Sequence, residues 1–372
     1  MSPAGRNLGV EPLALWRQFL GHWPPFLGVH LAVSLLSFVL LTPLAAALLR
    51  VAVSLSGDAA LSDQDILFFV LSPGGFLAFL LLGSLFSVIA FLGHAAMLVL
   101  ALTVRAGQPA SVRQVLLFLG RRGTAVFELA LRILLRVLLN LLPFVLLALL
   151  LYRLLLTEYD INYYLAEKPP EWRLALAGGA LIGVAGVANL LRLFVNWLLC
   201  LPLMLFTGVA PGEALARSHE TVRGHRRALL GWLLAWLLAT LLAGLLTSGL
   251  VGLAGNLLMP LLADSVDALL LALGLFAFLG VLLAFAVSLA SSAWLSLFIV
   301  QVAESLGLRW ERKPGAATGQ ARDFLSSPRV LVAGLAAGVL TAVVLSWALV
   351  QRLPMEAQAE IMAHRGASGS AP

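Results

Sequence analysis

The residues best suited to chemistry stand at the end of the sequence: His364 and Arg365, inside the string Ala-His-Arg-Gly-Ala-Ser-Gly-Ser-Ala-Pro. An imidazole titrates near neutral pH and can pass a proton to a leaving alkoxide. Beside it, a guanidinium offers a planar, permanently charged fork that matches phosphate oxygens. The pair follows a short apolar run, Ile361-Met362-Ala363, and opens a Gly/Ser-rich turn. Proton transfer next to a bound phosphate is the chemistry these types suit.

The order of residues from Glu360 to Pro372 resembles the first strand and first catalytic loop of glycerophosphodiester phosphodiesterases, a TIM-barrel family. A bare His-Arg-Gly is common, whereas the longer string is specific. In that family the string continues with Glu-Asn-Thr, whose Glu binds the catalytic metal, and this sequence stops before it. The resemblance implies His364 as general acid/base and Arg365 as phosphate ligand. It also implies a divalent cation, Ca²⁺ or Mg²⁺, for the full-length enzyme, with no metal site or other cofactor expected in this chain. A barrel needs about 250 residues and puts its site at the carboxyl ends of its strands. One strand alone is marginal. The expectation is therefore the membrane portion of a longer enzyme, cut where the catalytic domain begins and inactive by itself. Residues 1–352 would form a multi-pass membrane domain, and residues 353–372 a linker with the remnant of a first barrel strand.

The rest of the chain must position that pair, and its composition says how. Hydrophobic residues make up 61% and charged residues 11%, against about 25% charged in a soluble domain. Most of the chain must face lipid or other helices. The net charge of +6 sits in short loops between apolar runs, which fits orientation in a bilayer and not a nucleic-acid surface. The lone Cys200 excludes an intramolecular disulfide. The first apolar run is preceded by 25 residues with Glu11 and an amphipathic piece (Leu13, Leu15, Trp16, Phe19, Leu20), too long a lead for a cleaved signal peptide.

A spanning helix needs about 20 apolar residues, and seven runs qualify: Phe26–Leu49, Gly75–Val104, Ile133–Leu156, Leu174–Phe206, Ala228–Leu253, Ala268–Val302 and Val330–Val350. The fold class predicted is all-α, a polytopic bundle of seven spans. Loops alternate between acidic (Asp58, Asp63 and Asp65; Asp264 and Asp267) and basic (Arg105, Arg113, Arg121 and Arg122; Arg217, Arg223, Arg226 and Arg227). Lys and Arg number 15 on the side of the N-terminus and six on the other. By the positive-inside rule the N-terminus is cytoplasmic and, after seven spans, the C-terminus lies outside the inner (plasma) membrane. The first six runs form weakly repeated hairpins: helix, acidic loop, longer helix, basic loop. Two basic loops match further, around Pro109 and Pro211, each proline expected to open a short amphipathic helix on the inner membrane surface. The stretch Glu213-Ala-Leu-Ala-Arg-Ser218 through Gly224-His225-Arg226 also resembles the membrane domain associated with these phosphodiesterases.

Polar residues also fall inside the apolar runs. Arg132, Arg136 and Asn140 form one stripe at i, i+4 and i+8; Asn189, Arg192 and Asn196 form a comparable one, and His94 and Asn196 each precede a proline loop by 15 residues. Two readings fit. One is a cavity holding a lipid head group or other anion. The other is Arg snorkelling to the inner interface, with His94 and the asparagines as interhelical hydrogen-bonding groups. Gly334 and Gly338 permit close packing in the bundle or in a homo-oligomer. Expected partners are the lipid bilayer, glycerophosphodiester or phospholipid head groups, and no nucleic acid. The rival to a membrane anchor is a transporter or lipid-handling protein with a vestigial C-terminal motif.

Overall fold

The computed structural model describes residues 8–56, 73–109, 111–159, 161–262 and 265–310, and every regular element among them is helical. In order they are α1 (Pro12–Gly21), α2 (Trp23–Ser56), α3 (Pro73–Arg105), α4 (Val112–Gly120), α5 (Gly123–Leu155), α6 (Ile161–Glu167), α7 (Pro170–Trp197), α8 (Cys200–Phe206), α9 (Pro211–Thr221), α10 (Arg226–Leu258) and α11 (Val266–Ser305). A 3-10 turn, Met259–Leu262, closes α10 at Pro260. Leu- and Ala-rich sequence makes these helices, and only a helix satisfies every backbone group within its own segment once lipid replaces water.

Five stretches among the described residues are long and apolar enough to cross a membrane: Gly83–Arg105, Gly123–Leu155, Pro170–Phe206, Arg226–Leu262 and Val266–Ser305. The pair α1 and Trp23–Val39, bent by 80°, makes a sixth if counted as one span. The first six predicted runs coincide with α2, α3, α5, α7–α8, α10 and α11. The predicted seventh run with Gly334 and Gly338, the first acidic loop, and the barrel remnant with His364 and Arg365 lie outside the described residues. Five or six spans in an all-α membrane bundle are therefore what the described residues give.

The chain divides into two compact units, one holding α1–α9 with Arg226–Leu241 and Val287–Ser305, the other including Leu242–Ala286. In the first unit α2 packs along α3, α3 along α5, and α5 along α7. Gly93 lets α2 and α3 close up, because a Cβ there would lie 2.7 Å from Val33 Cγ1. The core sits at the basic ends of the helices. It joins Ala95–Val104 of α3, Leu198–Phe206 around α8 and Ala293–Ala303 of α11 with Leu15, Phe19 and Phe26. In the second unit Val251 packs within van der Waals reach of Gly280, while Leu245, Leu250 and Val281 are exposed.

The two short helices correct the reading of the basic loops. Pro109 does not open α4. That helix begins at Val112 behind Ser111, whose hydroxyl accepts from the Gln114 N–H, a bond no proline ring can make. Pro211 does open α9, as N1 of the helix. Neither helix simply floats its apolar face on lipid: α4 buries Val112, Val115 and Leu119, and α9 buries Ala214, Leu215 and Ser218, in the protein core. α4 closes against α2 and α3, and α9 against α5, α7 and α8, so that the two form a collar. A polar latch fastens it. Arg105 donates to Glu304 Oε2 from Nη2 at 2.6 Å and Nε at 3.0 Å, and from Nη1 to Gln18 Oε1 at 3.4 Å, while Trp310 Nε1 donates to Glu304 Oε1 at 3.2 Å.

Candidate functional site

The site grows from a break in one helix. Pro202 lacks an N–H and its ring collides with the carbonyl four residues back, so α7 stops at Trp197 and α8 restarts at Cys200. The break frees backbone groups in a buried place. Ser218 of α9, fully buried, repairs two of them: its hydroxyl accepts from Leu199 N at 3.1 Å and donates to Asn196 O at 2.8 Å. The Asn196 side chain is also buried, and its Oδ1 has no partner among the described residues.

Next to the break lies a cavity of about 370 Å³. Its walls come from α3 (Phe91, His94), α5 (Ile133, Val137), α7 with the break (Leu193, Trp197) and α11 (Ile299). The lining is apolar apart from His94 and the thiol of Cys200. No hydrogen bond joins His94 to another described residue.

The predicted polar cluster is divided by the structure. His94 faces the cavity, whereas Arg132, Arg136, Asn140, Asn189, Arg192 and Asn196 are not among its lining residues. Arg132 is held by Glu128, one turn back, at 2.7 Å with both side chains half exposed, and its guanidinium lies against Gly212 at the start of α9. Asn140 donates to the Arg136 carbonyl at 2.7 Å, as polar residues in helices often do with the preceding turn. Arg136 and Arg192 are exposed and have no ion-pair partner among the described residues. Yet the residue following each of the three arginines, Ile133, Val137 and Leu193, lines the cavity.

Helix geometry sets the level at which these arginines sit. Arg132 and Arg153 are separated along α5 by about 32 Å at 1.5 Å per residue, and Arg173 and Arg192 along α7 by about 29 Å. Both match a hydrocarbon core of about 30 Å. Arginine therefore brackets the lipid-facing stretch on both helices, and the cavity lies at the level of the basic-end bracket. At the other end Tyr159, Tyr163 and Tyr164 cluster with ring centroids 4.3–6.0 Å apart and Trp172 stacks on Tyr164 at 6.1 Å, the aromatic signature of a membrane interface. Among the described residues no group of three or more His, Cys, Asp or Glu could hold a metal ion.

These features define a multi-pass helical membrane protein with a collar of short helices at one end. The family model described as the membrane domain of glycerophosphoryl diester phosphodiesterase matches residues 14–311, and the chain belongs to that family. No curated protein and no solved structure gives a significant match. Sequence reasoning offers Pro202 as a kink or end point, and the helix breaks there, but it missed the repair by Ser218. Ser218 stood inside the family-like string, but no local pattern says that a serine on α9 reaches back to Leu199. The Arg105–Glu304 latch, 199 residues apart, left no sequence signal.

Proposed function

We propose that this chain serves as the membrane anchor of a glycerophosphodiester phosphodiesterase, carrying a catalytic domain on the extracytoplasmic side of the inner membrane. The complete enzyme would hydrolyse glycerophosphodiesters to glycerol 3-phosphate and an alcohol, in lipid metabolism. The observation that carries this reading is the family match over residues 14–311, which takes in the described spans. The charge count supports the orientation, with 15 Lys and Arg on the N-terminal side against six on the other. In this reading His364 is the general acid/base and Arg365 grips the phosphate.

The test is a reporter enzyme, active only outside the cytosol, fused after Pro372. Activity is expected; a fusion that works only in the cytosol would overturn the orientation and the division of labour with it. A second reading, a lipid-handling membrane protein, is favoured by one specific observation, the cavity beside the broken helix. Flux of a glycerophosphodiester through liposomes holding this chain alone would support it.

A further inference from the structure

We propose that the cavity between α3, α5, α7–α8 and α11 is a binding site for one glycerophospholipid of the leaflet at the basic end. One acyl chain fills the cavity, and the phosphate rests on Arg136 and Arg192. The inference is independent of the anchor reading.

Four observations converge on this occupant. The cavity, about 370 Å³ and apolar, is within the range of small-molecule sites, which bury an apolar body and fix it with a few polar groups. Its walls belong to helices whose outward side chains, Leu138, Leu142, Leu146 and Leu150 on α5 and Val184 and Val187 on α7, are exposed along the stretch between the arginines. The medium around it is therefore acyl chain and not water. Second, His94 is a polar group without a partner in an otherwise apolar lining. A polar group that faces an apolar cavity without a bond gains from a partner there, and the ester carbonyl of a glycerolipid can accept from its ring N–H.

Third, Arg136 and Arg192 stand one residue before the cavity-lining Val137 and Leu193, and neither has an ion-pair partner among the described residues. Arg132, by contrast, is already occupied by Glu128. Two unneutralised guanidinium forks at a head-group boundary match a phosphodiester, the anion present there at highest local concentration. Fourth, the distance from His94 to the arginine end of α3 is about 16 Å along the helix, which sets the cavity wall one helical segment below the buried Ala95–Val104 stretch of the collar.

The experiment uses the full chain in nanodiscs containing a trace of phosphatidylethanolamine with a diazirine midway along one acyl chain. After illumination, label is expected on cavity-lining residues of α5 and α7–α8 several-fold above Leu146 and Leu150, which meet bulk lipid. Leu193→Trp, which fills the space, should cut cavity labelling about tenfold and leave Leu146 and Leu150 labelled as before. Val137→Phe is the milder companion, with folding of each variant checked by gel filtration and circular dichroism. Arg136→Gln combined with Arg192→Gln should lower phospholipid labelling about fivefold while a diazirine fatty alcohol of the same length labels wild type and variant alike. Wild-type cavity labelling no higher than at Leu146 overturns the proposal outright. So does equal labelling in folded Leu193→Trp protein. A free fatty acid probe that outcompetes the phospholipid would overturn the phospholipid assignment.

Discussion

The two ends of α5 are both rich in apolar residues and have opposite surroundings. Near the basic end Val126, Leu129 and Ala130 are buried in the collar, whereas Leu138, Leu142, Leu146 and Leu150 are exposed. The same contrast recurs on α7–α8, where Val184 and Val187 are exposed and every residue of Cys200–Phe206 is buried. Near the basic end one face of each helix is partnered by protein, with Phe127 and Leu131 still exposed on the other, whereas Leu138, Leu142, Leu146 and Leu150 between the arginines are left to lipid. The difference teaches that hydrophobicity in this chain marks two interfaces with different energetics. Removing a side chain from the collar leaves a void that protein must bridge. Removing one from the lipid face leaves a gap that acyl chains flow into.

Four substitutions would break or sharpen that contrast. Phe298→Ala, in the middle of the collar core, should destabilise the protein most, by about 3–5 kcal/mol, read as a fall in thermal stability in detergent. Ser218→Ala strips both bonds from the α7–α8 break and should cost about 1–3 kcal/mol, since Leu199 N–H and Asn196 O are then left dry. Hydrogen exchange at Leu199 should accelerate in parallel; unchanged protection there would refute the repair role. Glu304→Gln weakens the latch to Arg105. With one partner about a third exposed and the other less, the effect is about 1 kcal/mol or below. In the wild type that contribution should shrink as salt rises, and Glu304→Gln should lose the salt dependence. Leu146→Ala, facing lipid, should change stability by less than about 0.5 kcal/mol. A collar-sized loss at Leu146 would mean that protein, in a larger assembly, covers that face.

The sequence was most legible where a single physical rule decides. Twenty apolar residues in a row have no soluble alternative, so six of the predicted runs emerged as α2, α3, α5, α7–α8, α10 and α11. Helix-forming proline at N1 foretold α9 from Pro211, but the same rule misread Pro109, because Ser111, two residues further on, caps the helix by accepting from the Gln114 N–H. The polar stripes showed only periodicity. Their i, i+4 spacing says that Arg132, Arg136 and Asn140 share a face, and nothing about what that face meets. His94 gave no warning that it would stand alone in a cavity.

What the amino-acid order settled unaided is the solvent of each segment: apolar runs must leave water, and charged loops must stay in it. Transfer free energy is local and additive, so it can be summed along a chain. Which apolar residues meet protein and which meet lipid was decided only in three dimensions. Oil-like side chains are equally content with either neighbour, and the choice falls to shape: Pro202 interrupting α7, Ser218 reaching the gap, and Glu304 finding Arg105.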